Sequence, residues 1–420
     1  MKITFVSHAS FLLTTNGKTI LSDPWLTSKV FNNSWALVSK AMDVDYTKVD
    51  YIYISHEHPD HFNFPTLKLI PAVEKARITI LYQKHASARL KDAFLKMGFA
   101  AIIELPIYKW AEVEDIKLFC GSSGSMDSFL VVDDGKQKLF NLNDCVFNKK
   151  QYAYIKSKIG TVDVLFTQFS FANWVGNDSD EVNNAERKIS QMREEIEIFQ
   201  PKITIPFASF VYFCNAENAR MNAWANTPEK IESLQLPGTF FMYPGDSFDT
   251  LNPIGINSKT AVDKYMRDIN TAVIDPTPET VSFEKVSEAI INNLAAFKKE
   301  MPSLLRKLAK PFSIHITDLN KTVLIQPQTG TFQELASSTP ARYYMCSQVC
   351  WFTFQFSWGS GTLDVSGMYL DKEYPAPHSR YFNLQNLIST GIANFRSFKQ
   401  IKRTAGFMWA KRGELWNRFV

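Results

Sequence analysis

Histidine is scarce in this chain, with seven in 420 residues, and cysteine is scarcer, with five. Cys120, Cys145, Cys214, Cys346 and Cys350 form an odd set without the paired spacing of a zinc ribbon. That excludes a ribbon and fits the reduced thiols of a cytoplasmic protein. Long apolar runs are missing too. No window reaches the roughly 18 uninterrupted apolar residues that a membrane-spanning helix needs. The opening residues, from Met1 to Val6, enter an alternating pattern without an apolar h-region, which predicts no signal peptide. An excess of one charge is also lacking, because 46 Lys and Arg against 42 Asp and Glu leave only +4. Composition therefore gives no clear nucleic-acid signal. What the chain has in quantity is apolar surface: 45% hydrophobic residues, with 33 Phe, enough for a large core and two or three domains.

Against that scarcity, three of the seven histidines stand within six residues, as His56, His58 and His61 with Asp60 among them. They follow Tyr51-Ile52-Tyr53-Ile54, a short apolar run that reads as a buried strand. Imidazole and carboxylate are ligands of zinc, iron and manganese, and a turn at a strand end can aim alternate side chains into one cavity. A chance clustering of histidines on a surface loop is the competing reading, and the density argues against it.

Asn16-Gly17 between two apolar runs predicts a hairpin, because both central positions of such a turn need φ above zero. A second hairpin covers residues 128–144, and Ser128 to Lys136 repeats the pattern of Ser10 to Lys18. The repeat predicts two related halves offering strand ends to a shared cleft. Strands at 78–82, 162–167 and 202–207, with helices within 66–75, 86–96 and 181–199, make an α/β layered domain ending near residue 255. Further on, Val286, Ile290, Leu294 and Phe297 share one face of a helix that Pro302 interrupts. Strands are then expected at 312–317, 322–326, 341–346, 351–358 and 362–368. On this reading residues 1–255 form a metal-binding α/β domain and 256–420 a smaller α+β domain. Cys346 and Cys350 would share a strand face as a structural thiol pair. His315 and His378, each solitary, read as packed or surface residues.

His56-x-His58-x-Asp60-His61 after a buried strand resembles the signature of the metallo-β-lactamase superfamily, and Ser7-His8-Ala9-Ser10 and Ser22-Asp23-Pro24 resemble one of its hydrolase-rich branches. Asp50 to His56, Asn141 to Cys145 and Gln200 to Ala208 are similar to the catalytic domain of the cytidine monophosphate N-acetylneuraminic acid hydroxylase family. That family also carries a Rieske iron–sulfur domain, whose paired Cys-x-His and Cys-x-x-His do not occur here. The resemblance implies a metallo-β-lactamase αββα sandwich with a smaller C-terminal α+β domain. It implies metal ligation by His56, His58, Asp60 and His61, with Asp144 bridging two metals. Two histidines of the family pattern fall on Ser123 and Asn215, so the metal centre is a modified one. His8, Asp23, Glu217 and Asn218 are further candidate ligands. The loop 168–176, with Asn173 and Trp174, corresponds to the family's substrate side, and Asn215 and Ser123 are placed there as well.

One or two divalent ions, zinc first and then iron or manganese, would acidify a bound water beside a polarised carbonyl or phosphoryl oxygen. Asp60 and His8 are the candidate catalytic groups. The favoured reading is a metal-dependent hydrolase acting on a small molecule such as a nucleotide, a sugar or another polar metabolite. The alternatives are an iron-dependent hydroxylase and a catalytically impaired binding protein.

Overall fold

The computed structural model describes residues 1–85, 88–123, 127–171, 178–252, 257–374 and 379–389. The strand ahead of the histidine cluster runs Tyr51–Ile54, with every residue buried. It pairs in parallel with Lys18–Ser22 on one side and Thr79–Gln83 on the other. A parallel strand covered on both faces has no solvent side to mark with polar residues, hence the unbroken apolar run.

The first sheet has seven strands in the order Ser247–Asp249, Lys2–Ser7, Ser10–Thr15, Lys18–Ser22, Tyr51–Ile54, Thr79–Gln83 and Ala101–Leu105. The second has six, in the order Ile203–Phe207, Val164–Gln168, Lys138–Asn141, Asp127–Asp133, Ile116–Ser123 and Lys109–Val113. In each, a hairpin is followed by two parallel strands, so the repeat in the sequence is a repeat of topology. The equivalent hairpin tips touch. Thr15 Oγ1 donates to Asp134 Oδ2 at 2.7 Å, and Asn16 Nδ2 donates to the Asp134 carbonyl at 3.4 Å. Asn16 and Gly17 have φ of 48° and 74°, as their turn requires.

Alternation along the strands sorts the side chains into layers. Between the sheets lie Phe5, Leu13 and Tyr53 from the first and Leu130, Val132 and Phe207 from the second, with Phe11 stacked on Phe166 at 4.3 Å. Outside the first sheet, Ile52, Ile80 and Tyr82 meet Leu67 of helix Phe64–Leu69 and Leu90 and Phe94 of helix Arg89–Lys96. Outside the second, Phe129, Phe140 and Leu165 meet Tyr152 and Ile155 of helix Lys149–Ile159 and Phe199 of helix Asp178–Phe199. The result is a four-layer αββα sandwich. One close approach is demanded of Gly121, where a Cβ would run into the Phe129 ring. Gly121→Ala is expected to lose roughly 1–3 kcal/mol by overpacking, read as a lower urea midpoint.

The C-terminal part has a helix, Phe283–Glu300, burying Val286, Ile290, Leu294 and Phe297, and a five-stranded sheet that includes Phe312–Ile316, Lys321–Gln326 and Tyr343–Met345. Two expectations fail here. Residues 351–358 and 362–368 are not strands, because the chain forms helices Ser347–Gln355 and Gly359–Ser366. The aromatic run favours a strand locally, but the first of these helices packs along Phe283–Glu300, where Asn293 Nδ2 reaches the Phe354 carbonyl at 2.7 Å. Tertiary burial overrides propensity. Cys346 and Cys350 are therefore not strand neighbours: Cys346 caps that helix and Cys350 lies one turn later, both buried and free. His315 is a packed residue, bonded to Thr322 Oγ1 at 2.9 Å, and His378 lies outside the described residues.

The seam between the two parts is shared. Tyr265 of helix Ser258–Asn270 stacks on Phe210 at 4.1 Å within the sandwich core. In return, Trp25, Phe31, Trp35 and Phe213 enter the C-terminal core.

Candidate metal centre

The chain turns sharply after Ile54. The Ser55 N–H donates to Asp23 Oδ1 at 2.8 Å, the N–H groups of His61 and Phe62 both bond the His58 carbonyl, and Asn63 caps the helix that follows while its Nδ2 holds the Pro59 carbonyl. Four side chains able to ligate a metal are thereby folded into one pocket at the strand ends, and the turns after Ser7 and Asn141 bring His8 and Asp144 to the same place.

Two groups of three result, each with its ligand atoms within 4.8 Å of one another: His56, His58 and Asp144; and His8, Asp60 and His61. His56 Nε2 lies 2.8 Å from His58 Nδ1 and 3.8 Å from Asp144 Oδ2. Asp60 Oδ2 is 3.4 Å from both His8 Nε2 and His61 Nε2, and His61 Nε2 is 3.3 Å from Asp144 Oδ1. Asp144 thus faces both groups.

Burial and charge act in opposite directions on these side chains. Burial, with the neighbouring His61, pushes His56 down to about 4, and burial lowers His58 as well. Both are neutral and able to donate a lone pair at neutral pH. Burial would lower His61, but the Asp144 and Asp60 charges outweigh it and raise it well above the usual histidine range. Burial would raise Asp60 and Asp144; the charge of His61, close to both, outweighs it and holds both carboxyls low.

A cation fits this donor set. Among the described residues, both ring nitrogens of His8, Asp60 Oδ1 and His61 Nε2 are buried without a hydrogen-bond partner. Orphaned polar atoms of this kind cost about 1–3 kcal/mol each, and one shared ion would satisfy one His8 nitrogen, an Asp60 oxygen and His61 Nε2 together.

Behind the ligands stands an orienting layer. Asp23, fully buried, accepts from Ser55 Oγ at 2.7 Å and lies 3.0 Å from His61 Nδ1, leaving Nε2 to face the pocket. Gln168 Nε2 donates to Asp144 Oδ1 at 2.7 Å, and Lys188 Nζ donates to Gln168 Oε1 at 2.7 Å. Asp127 was not singled out by sequence reasoning. It starts the strand Asp127–Asp133 with Oδ1 3.9 Å from His56 Nε2, and burial raises it to about 6. Its only signal was its place directly after the loop where Ser123 replaces a family histidine.

The other expected residues fall elsewhere. Ser123 Oγ bonds the Val146 carbonyl at 2.9 Å, bracing the loop after Asp144. Asn215 Nδ2 donates to the Pro276 carbonyl, and Asn215 Oδ1 accepts from the Glu217 N–H. Glu217 accepts from Thr277, and Asn218 bonds the Ser34 and Ser366 carbonyls. All three tie the domain seam together and are absent from both ligand groups. Asn173 and Trp174 lie outside the described residues.

The family model described as the β-lactamase superfamily domain matches residues 2–170, the stretch that holds both ligand groups. Among curated relatives, a mycobacterial protein named "Putative Rieske 2Fe-2S iron-sulfur protein" (Mycobacterium tuberculosis) is 27% identical over 60% of this chain and 55% of its own length. The cytidine monophosphate-N-acetylneuraminic acid hydroxylase of Danio rerio is 27% identical over 50% of this chain and 38% of its own. The chain thus spans about half or less of the curated relatives it matches. Among solved structures, an isothiocyanate hydrolase from Delia radicum gut bacteria is 15% identical with a TM-score of 0.42, covering 59% of this chain and 99% of that one. Among the described residues, no helix is long and apolar enough to cross a membrane.

Asp127 yields a test of the site's electrostatics. A carboxyl raised by burial contributes stability when protonated, and that contribution is lost as pH rises through its folded value. In chelator-treated protein, Asp127→Asn is therefore expected to be more stable than the parent at pH 8. With the side chain 31% exposed, the gain is on the order of 1 kcal/mol. It should shrink as pH falls through about 6 and vanish below about 4, followed by denaturation at several pH values.

Proposed function

We propose that this chain is a metal-dependent hydrolase acting on a small polar metabolite, with a modified metallo-β-lactamase centre. One observation carries the reading: two three-ligand groups meet at Asp144, and the His8, Asp60 and His61 group holds four buried nitrogens and oxygens without partners. His56, His58 and Asp144 would hold one divalent ion and His8, Asp60 and His61 a second, zinc being favoured and iron or manganese compatible with the same donors. Such ions, when bound, polarise a carbonyl or phosphoryl oxygen and lower the pKa of water.

The chain's own groups divide the remaining work. His8 replaces, as a sixth ligand, part of what is lost at Ser123 and Asn215. Asp60, held low by His61 and His8, serves as a ligand first and is a weak base. Asp127, raised to about 6, is the group beside the centre that can take and return a proton near neutral pH. Residues 1–255 would carry the chemistry, and 256–420 would cover the seam. The curated relatives named as hydroxylases and Rieske proteins support a second reading, oxygen chemistry at iron, on the same ligands.

Elemental analysis of protein purified without chelator, followed by an ester and phosphodiester panel, tests the proposal. The expected result is stoichiometric zinc or manganese and chelator-sensitive hydrolysis. Iron with oxygen-dependent turnover would replace the hydrolase by the second reading. Absence of metal after both aerobic and anaerobic purification would remove both.

A further inference from the structure

A cavity of about 650 Å³ lies at the seam between the sandwich and the C-terminal part. It contains none of the six metal-ligating side chains. Its volume is that of a site for a small molecule, and its wall mixes polar side chains with Pro276, Pro278, Val281 and one aromatic face. Asn33, Glu279, Thr280 and Lys285 line it, and Trp351 presents a half-buried indole. Among the described residues, the side chains of those first four are engaged by no protein partner. Asp275, also in the wall, is neutralised by Lys29. Glu279 and Lys285 then leave the lining without net charge, which disfavours a strongly anionic or cationic guest.

The wall is also held in an unusual shape. Phe31, Asn32 and Asn33 all have positive φ, of 51°, 62° and 57°. Non-glycine residues visit this region singly rather than in succession, because Cβ crowds the following carbonyl. The turn is clamped by a reciprocal amide pair across the seam: Asn32 Nδ2 donates to Gln348 Oε1 at 3.0 Å, and Gln348 Nε2 donates back to Asn32 Oδ1 at 2.9 Å. Strain of this kind persists where surrounding contacts over-determine it, and it gathers at ligand clamps. Here it leaves the Asn33 side chain free at the cavity edge.

Free amide, hydroxyl, carboxylate and ammonium groups around one half-buried indole form a set of mixed donors and acceptors. A planar base offers hydrogen bonds along its edge alone, whereas a sugar ring offers hydroxyls on all sides and an apolar C–H face for the indole. We propose that this cavity is a second ligand site, separate from the metal centre, that binds a neutral sugar of monosaccharide size.

Isothermal titration of the full chain with D-glucose, D-galactose and N-acetyl-D-glucosamine, with adenosine as the planar control, decides this. At least one sugar should bind one-to-one with a Kd of millimolar or tighter, and chelator treatment should leave the Kd unchanged. Asn33→Gly, which glycine's freedom at φ 57° accommodates, and Glu279→Gln, both at exposed positions, should keep the parent's Tm and weaken binding tenfold or more. Trp351→Ala should abolish binding. The proposal is overturned if no sugar of the panel binds, if adenosine alone binds, if chelator removes the binding, or if the Asn33 and Glu279 variants bind as the parent does.

Discussion

Asp144→Ala is expected to carry less than half the parent's metal and to lower hydrolytic kcat/KM by about a thousandfold or more, some 4 kcal/mol of transition-state stabilisation. The reason is position. Among the described residues, Asp144 is the one carboxylate that approaches both groups, with Oδ1 3.3 Å from His61 Nε2 and Oδ2 3.8 Å from His56 Nε2. Removing it leaves His56 and His58 as a two-histidine remnant, and it takes from His61 one of the charges that raise its pKa. The fold should survive, because Asp144 sits at a strand end with its side chain 23% exposed. Elemental analysis and steady-state kinetics, with near-ultraviolet circular dichroism to confirm folding, check this outcome. Parent-like metal content in the folded variant would refute the bridging role.

Asp23→Ala is expected to damage stability more than activity assays alone would suggest. Asp23 is fully buried, and its two oxygens serve the Ser55 N–H, Ser55 Oγ and His61 Nδ1. Its φ is 38°, a region that asparagine and aspartate tolerate better than alanine. Cutting one partner out of a buried charged network costs roughly 3–5 kcal/mol, and the backbone strain adds to it. Asp23→Asn separates the two roles. It keeps the shape and an acceptor for the Ser55 N–H but turns an NH2 toward His61, which then loses the partner that fixes its tautomer. A loss of roughly 10–100-fold in metal affinity is the usual size of such a change. Urea denaturation and competitive chelator titration read the two effects. An Asp23→Ala protein within about 1 kcal/mol of the parent, with unchanged metal affinity, would sink the argument.

Much of this protein was legible in its sequence because local physics and global fold agree there. The apolar run Tyr51 to Ile54 had to be a covered strand, Asn16-Gly17 had to turn, and the spacing of His56, His58, Asp60 and His61 placed their side chains together through the geometry of one short loop. The repeat of the two hairpins carried the two-sheet architecture before any contact was visible. Local pattern gave no comparable reading where a long-range partner decides. The aromatic run from Trp351 to Trp358 reads as strand, yet it is largely helix because helix Phe283–Glu300 offers it a buried face. The strands Lys109–Val113 and Ile116–Ser123 and the helix Lys149–Ile159 passed without a clear signal.

The metal centre divides the same way. Sequence by itself determined the clustering of four candidate ligands and named Asp144 by resemblance, because a motif within one loop needs no other part of the chain to bring it together. Only the tertiary structure joined His8 to Asp60 and His61, set Asp127 beside His56, and sent Asn215, Glu217 and Asn218 to the seam. These residues come from separate strand ends and loops, whose meeting depends on how two sheets stack and how the C-terminal part closes over them. No spacing along the chain encodes that distance.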